Sequence, residues 1–493
     1  MKRRLLMHVG VVSASHYASE ALFLLRGLVL AKLLGPAAFG VWSSIRILTV
    51  FANYSHLGAR QGVVQLAGVA DGAADPARAQ VLRRNTVGLS VVGSVVMTGA
   101  VSLYILATRP EPAWAWWMVP PMLLLAQFFD LHVTVLQSEQ RFARMSVVSV
   151  LFALLSAAAG IAAALTTGLG GFLVAMTASY AVVLAHEVAC GRALWRAELR
   201  GDVLRDLLRC GGPILAAQVA LVVLWQSDRL VIWAALGHES LGTYAVQSYF
   251  TCVVLLIANS LVSVLQPHLA AVTGADPRPA ALRPYVERGS MLVAATVAPV
   301  VVATLLALPL PIVHFLPEYA PAVVPGQVLL IATAVSVSCS VAGSVLIALG
   351  RSRLLLALRA GAAAVAVALV ALVVAVGGGF VAIAAATAAA ITLYSLATLT
   401  MALRRCGMSS GGTARCVARL VGVAALLVGA VAVAYAAVPG DGQTVAADVL
   451  RVLERCAVAV GLLTPVAALA WQRCGLLRRE HGGGGAVAKA ALS

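Results

Sequence analysis

The chain is a succession of apolar runs of about 20 residues, divided by short polar corners. That feature leaves little choice of fold, because backbone inside a bilayer must satisfy its own hydrogen bonds. Runs of this length read as transmembrane helices, and fourteen are expected. The first six fall near 10–33, 39–58, 85–107, 114–136, 145–166 and 171–190. The next six fall near 212–236, 241–265, 290–310, 323–348, 354–376 and 379–403, with a last pair near 419–438 and 448–471. The composition is 61% hydrophobic and 11% charged. A soluble domain carries about 25% charge, and no stretch reads as one. MKRRLLMHVGVV has the basic start of a signal peptide, but Ser13, His16, Glu20 and Arg26 interrupt the run behind it and no small-residue cleavage site follows. It reads as an uncleaved first span. The expected fold class is an all-α polytopic membrane protein.

A net charge of +16 would suit nucleic acid, but the placement of the charges excludes that partner. Of the 35 Lys and Arg, 28 fall in segments that alternate spans put on one side. This bias places both termini in the cytoplasm, with anionic lipid headgroups as the partner of the basic loops. The external connections GPAA, TRPEPA, TTGLGG, GHES, GGG and VPGDGQ are short, and PIVHFLPEYAPA only slightly longer. None can hold a catalytic site. There is no GxxxxGK[ST] phosphate loop, no metal-spaced His/Cys/Asp/Glu cluster and no GxSxG nucleophile. The eight cysteines form no CxxC pair and avoid the external loops. The chain is therefore expected not to be an enzyme and to use no metal or cofactor, apart from coupling to protons or another ion. The simplest remaining class is a secondary transporter.

A second constraint is internal. RGLVLAKLLGPAAFGVWSSIRILT, Arg26 to Thr49, is a helix end, a Gly-Pro turn and the start of another helix. DRLVIWAALGHESLGTYAVQSYFT, Asp228 to Thr251, repeats it at an offset of 202. Leu34-Gly35 answers to Leu236-Gly237, Phe39-Gly40 to Leu241-Gly242, and Trp42 to Tyr244. The cytoplasmic segments QVLRRN and PYVERG align at an offset of about 204. The halves are parallel repeats, with a site expected between them at mid-membrane. The expected organisation is an N-terminal six-helix lobe over 1–190, a cytoplasmic connector over 191–211 and a C-terminal six-helix lobe over 212–403. An extra helix pair over 404–471 and a Gly-rich, disordered cytoplasmic tail over 472–493 follow.

Charge inside a span is costly and marks a site. Arg26, Arg46 and Arg229 fall inside spans, whereas Lys32 sits near a membrane face and can snorkel. In the second span Trp42, Arg46, Thr49, Asn53, His56 and Arg60 recur at helical spacing. Gln127, Asp130, Thr134, Gln137 and Arg141 do so in the fourth, and Gln218, Trp225 and Arg229, with Asp228 adjacent, in the seventh. Polar stripes on apolar helices face protein or water, and a water-filled cavity is expected. The tenth-span stripe Thr333, Ser336, Ser340 and Ser344 reads instead as interhelical hydrogen bonding. An arginine keeps its charge in any pocket and pairs bidentately with phosphate. The bland alternative is an internal ion pair, such as Asp228 with Arg229. Glu20 and Arg26 project about 120° apart on a straight helix, which disfavours a direct pair. The echo puts Asp228 where the first half has Arg26, and Ser248 where it has Arg46, so an anion site is expected to lean towards the first half.

LAKLLGPAAFGVW, SDRLVIWAALGHESLGTYAVQSYF, LQSEQRFAR and IALGRSR resemble the polysaccharide-transporter family of Wzx-type oligosaccharide flippases. That family belongs to the MOP superfamily, with the MATE exporters and the lipid II flippase MurJ. The likeness spans helices 1 to 12. It implies a two-lobed, V-shaped bundle in the bacterial cytoplasmic membrane that alternates its access between the two sides. The implied cargo is a polyprenyl-pyrophosphate-linked oligosaccharide for cell-surface or exopolysaccharide synthesis, with a polymerase or export complex as partner. Arg26, Arg46 and Arg229 would meet the pyrophosphate, with Trp42 and Asn53 lining the glycan cavity. Arg26 falls where the lipid II flippase has a first-span arginine. Where that relative has a second cation this chain has Glu20, which becomes a coupling candidate with Asp130 and Asp228. The last helix pair is similar to that of the fourteen-span members, where it helps form a lipid-facing groove. A MATE-like cation-coupled exporter and a lipid II flippase are the alternatives, and a glycan polymerase is disfavoured by the missing external loop.

Overall fold

The computed structural model describes residues 2–72, 75–191, 196–256, 272, 278–439 and 445–474. The end of the eighth expected span, the first residues of the connector and most of the tail lie outside the described residues. Among the described residues the chain is helical throughout, with no strand.

Ten helices are long and apolar enough to cross a membrane, so the chain is a multi-pass membrane protein. Three of them are double length: α1 (Lys2–Ala52), α6 (Phe142–Ala189) and α7 (Gly201–Ala245). Each is broken at one glycine, Gly35 (φ 68°), Gly168 (φ 63°) and Gly237 (φ 81°). Only glycine takes that left-handed backbone without a Cβ penalty. The three breaks fall in the corners GPAA, TTGLGG and GHES. Thus α1 and α6 each hold two of the fourteen expected spans. Helix α7 holds the seventh and opens the eighth, which resumes over 248–256.

Between these lie α2 (Ala59–Gly72), α3 (Pro76–Thr108), α4 (Ala113–Trp117) and α5 (Val119–Ser138). Beyond them come α8 (Arg283–Ala307), α9 (Pro309–Phe315), α10 (Val323–Ser338), α11 (Ser340–Ala348), α12 (Ser352–Ala375), α13 (Phe380–Arg405), α14 (Ser410–Ala437) and α15 (Val445–Cys474). Helix α15 is not among the ten, and carries Asp448, Arg451, Glu454 and Arg455 near its start. Helix α3 begins nine residues before the expected span. Asp75 caps it, accepting the Arg78 backbone N–H at 3.0 Å, and Pro76 follows at the first helical position.

The chain divides into two compact units. One holds Met1–Leu256, Leu308–Ala332 and Gly350–Tyr394. There α1 packs on α6 and α7, and α7 packs along α12 and α2. Ile47, Ile232, Leu241, Tyr244, Leu329 and Val370 share one buried cluster, which joins the repeated hairpins. The hairpins meet backbone to backbone. A Cβ on Gly40 would stand 1.8 Å from the His238 carbonyl oxygen, and one on Gly242 1.9 Å from that of Pro36. Gly40 and Gly242 are equivalents at the offset of 202, as are Pro36 and His238. The two contacts are therefore one contact made twice, around a local twofold axis. The other unit holds Ile257–Ala307, Thr333–Leu349 and Ser395–Ser493. In it α8 packs on α14 and α15. Arg455 donates to the Val438 carbonyl at 3.1 Å and lies 4.3 Å from the Tyr435 ring centre.

Candidate functional site

Helix α1 carries two walls of one cavity, because the turn at Gly35 lets both its arms contribute. The cavity, of about 450 Å³, is lined by Glu20, Phe23 and Arg26 from the first arm and by Trp42, Arg46, Thr49 and Asn53 from the second. Asp130 of α5 and Ser146, Phe152, Met176 and Tyr180 of α6 complete it. Seven of the residues singled out in the sequence thus come together: Glu20, Arg26, Trp42, Arg46, Thr49, Asn53 and Asp130.

The two arginines are held by neutral groups. Arg26 Nη1 donates to Ser156 Oγ at 2.9 Å and to Met176 Sδ at 3.1 Å. Its guanidinium lies 5.0 Å from the Phe23 ring centre and 5.8 Å from that of Phe172. Arg46 Nη1 donates to the Tyr249 hydroxyl at 3.2 Å and Nη2 to Ser248 Oγ at 3.4 Å, with the Tyr249 ring 5.3 Å away. Among the described residues no carboxylate pairs with either arginine. Hydroxyls and ring faces orient a guanidinium without cancelling its charge. Two such charges in a partly desolvated pocket attract an anion more strongly than they would in water.

The acids of the cavity form no ion pair with either arginine among the described residues. There Glu20 lines the cavity without a hydrogen bond or ion pair, in keeping with its angular separation from Arg26. Asp130 accepts from Asn53 Nδ2, and its own carbonyl accepts from Thr134 Oγ1 at 2.8 Å. Asn53 Oδ1 is buried without a partner among the described residues. Trp42 packs edge-on against Phe172, with ring centres 4.7 Å apart.

Arg229 and Asp228 are not in this cavity. Asp228 is 1% exposed and accepts from the Tyr244 hydroxyl and from the Arg229 backbone N–H, both at 2.8 Å, with Arg229 Nε at 3.7 Å. That is the internal pair weighed as the bland alternative. The second-span stripe also needs correction. Its helix ends at Ala52, a 3-10 turn covers Asn53–His56, and left-handed backbone follows at Leu57 (φ 50°) and Gly58 (φ 99°). His56 Nδ1 accepts the Gly58 N–H at 3.1 Å, and Arg60 Nη2 donates to the Gln127 carbonyl at 2.8 Å. Trp42, Arg46, Thr49 and Asn53 therefore face the cavity, and His56 and Arg60 turn away.

Several cavity residues escaped the sequence reading. Ser146, Ser149 and Phe152 recur at helical spacing in the fifth span, and Phe23 follows Glu20 at helical spacing in the first. These stripes were legible, but serine and aromatic residues are common packing residues in membrane helices. Tyr249 had no such signal.

Residues 29–318 match a family described as polysaccharide biosynthesis protein. No sequence match was found among curated proteins. Solved structures share the fold at low identity. An inward-facing multidrug resistance MATE family transporter of the MOP superfamily superposes with a TM-score of 0.66 at 14% identity, over 79% of this chain and 94% of its own. A MOP superfamily transporter from Pyrococcus furiosus, described as having a binding pocket of reversed polarity, gives 0.59 at 15% identity, over 81% and 95%. A Vibrio cholerae MATE transporter gives 0.57 at 16% identity, over 82% and 96%.

Proposed function

Because the chain belongs to the polysaccharide biosynthesis protein family, we propose that it carries a polyprenyl-pyrophosphate-linked oligosaccharide across the bacterial cytoplasmic membrane by alternating access. The observation that supports this most is the pair of arginines, Arg26 and Arg46, facing one cavity with only neutral partners. A pyrophosphate supplies the missing anion, and Arg recognises phosphate oxygens bidentately. A cavity of about 450 Å³ suits a headgroup rather than a polymer. The polyprenyl tail stays in lipid on this reading. Glu20 and Asp130 are the coupling candidates, for protons or another ion. Both termini are cytoplasmic, and a polymerase or export complex takes the product on the far side.

The test uses proteoliposomes loaded with lipid-linked glycan, in which a lectin reports the glycan reaching the opposite leaflet. Arg26→Ala combined with Arg46→Ala should reduce translocation to the protein-free level while the variant inserts at wild-type abundance. Undiminished translocation would overturn the site.

A second reading rests on the two carboxylates in the same cavity and on the multidrug transporters among the structures of this fold. In it the chain exports small cations against an ion gradient. Efflux of a cationic dye that Glu20→Gln abolishes would favour that reading, and no efflux would remove it.

A further inference from the structure

Arg46 is a first-half residue whose orientation depends on the second half. Both groups that hold it, the Ser248 and Tyr249 hydroxyls, stand on the helix at 248–256. Ser248 is its own equivalent at the offset of 202. Tyr249 is wedged in place, 8% exposed, with its ring against the first arm of α1. A Cβ on Gly27 would lie 2.2 Å from Tyr249 Cζ, so the ring fits only because residue 27 has no side chain. One tyrosine thus touches Gly27, one residue along from Arg26, and hydrogen-bonds Arg46. The ring therefore abuts the backbone next to Arg26 and holds the side chain of Arg46.

We propose that Tyr249, with Ser248, is a positioning residue for the anion site: it fixes the Arg46 guanidinium toward the cavity beside Arg26. This rests on the reading of the cavity as a pyrophosphate site. The chemistry favours a brace over a blockade. Each hydroxyl occupies one N–H of a terminal nitrogen, and a guanidinium has five. Nε–H and one N–H on each terminal nitrogen stay available for a bidentate oxyanion. A neutral acceptor fixes the plane of the fork and leaves its charge intact, and a supporting shell of this kind sets affinity through geometry. The brace crosses the contact between the repeated hairpins. Any movement that parts the helix at 248–256 from α1 therefore releases Arg46 and lowers affinity for the anion, which couples the hairpin contact to substrate release.

The test measures binding of inorganic pyrophosphate to the purified full-length protein in detergent by calorimetry. Thermal unfolding of the unliganded protein is followed in parallel. Tyr249→Phe keeps the ring and its wedge but loses the hydroxyl, and Ser248→Ala loses the other acceptor. Each should weaken pyrophosphate binding by about three- to tenfold with the unfolding temperature unchanged, the range that an ordinary hydrogen bond converts to when it acts only by orienting the guanidinium. Ser248→Thr, which keeps a hydroxyl, should bind like wild type. In an Arg46→Ala background Tyr249→Phe should have no further effect, because a positioning residue acts only through the group it positions. Wild-type affinity in Tyr249→Phe, or an equal loss in both backgrounds, overturns the brace. If Arg26→Ala and Arg46→Ala leave pyrophosphate binding intact, or wild type does not bind it, the anion reading itself fails, and the brace with it.

Discussion

The reciprocal contact of the repeated hairpins makes Gly40→Ala and Gly242→Ala the sharpest perturbations of the fold. The added methyl carbons would lie 1.8 Å from the His238 oxygen and 1.9 Å from the Pro36 oxygen. A carbon and a carbonyl oxygen approach to about 3.3 Å at closest, so the helices must part by about 1.5 Å at each site. The obstacle is backbone on both sides, so no rotamer change relieves it. Overpacking typically costs about 1–3 kcal/mol, and an unyielding backbone contact belongs at the upper end. Each substitution should lower stability by about 3 kcal/mol. The double variant should cost less than the sum, because one parting of the helices relieves both clashes. Gly68→Ala and Gly99→Ala are internal controls, since a Cβ there meets nothing within 4 Å. They should be neutral or stabilising by up to about 1 kcal/mol, from helix propensity. Thermal unfolding in detergent, read by tryptophan fluorescence, checks all five variants. If Gly40→Ala unfolds with the controls, the axis contact is not as close as described and the reasoning fails.

Glu187 is 1% exposed between Arg144, whose Nε donates to it at 3.0 Å, and His132 at 3.2 Å. Glu187→Ala should destabilise by about 1.5–3 kcal/mol by removing the buried carboxylate that accepts from the part-exposed Arg144, seen as a lower unfolding temperature. Helix α3 holds the connector: Asn85 is fully buried and its Oδ1 accepts the Arg200 backbone N–H at 2.6 Å, whereas Arg84 and Glu198 form a part-exposed ion pair at 2.9 Å. Asn85→Ala should cost about 1–3 kcal/mol and open 196–200 to protease, while Glu198→Ala should cost less than about 1 kcal/mol. Ser248→Arg would set two guanidinium groups about 4 Å apart, a repulsion of about 4 kcal/mol at an effective dielectric constant of 20. It should unfold early, and Arg46→Ser in the same chain should restore the unfolding temperature; no rescue by the swap would show that charge is not the cause.

What the sequence disclosed depended on whether the signal was local. The corners at Gly35, Gly168 and Gly237 were legible because each glycine sits between two apolar runs, and the backbone there, positive φ with extended ψ, is essentially glycine's alone. The charges of the cavity were legible because Arg26, Arg46 and Asp130 have no business in lipid. The early start of α3 was signalled by Asp75-Pro76, but a search for apolar runs passes over QVLRRN, whose polar residues lie on an extension beyond the apolar span. The break at 53–58 was hidden for another reason. The spacing of Asn53, His56 and Arg60 fits an unbroken helix, and tertiary partners, Asp130 for Asn53 and the Gln127 carbonyl for Arg60, join the local turn at Gly58 in drawing the chain out of it. Arg229 shows the converse: its charge was visible and its partner adjacent, yet spacing alone cannot say whether a pair closes on itself or faces a cavity.

The same axis explains why a duplicated frame carries an unduplicated site. Residues that lie on a local twofold meet their own equivalents, as Arg46 meets Ser248 at 3.4 Å. A strict repeat would put arginine against arginine there, and like charges in a partly desolvated contact are among the costliest arrangements a fold can hold. One copy must therefore give up the charge, and a hydroxyl that accepts from the retained arginine turns a repulsive position into a supporting one. Off the axis the constraint is absent: Asp228, the equivalent of Arg26, lies away from the cavity and finds its own partners in Tyr244 and Arg229. The charge asymmetry between the halves follows at residue 46 from geometry. At residue 26 it follows from which helix lines the cavity, and this is why the cationic groups converge beside α1 while the echo contributes hydroxyls.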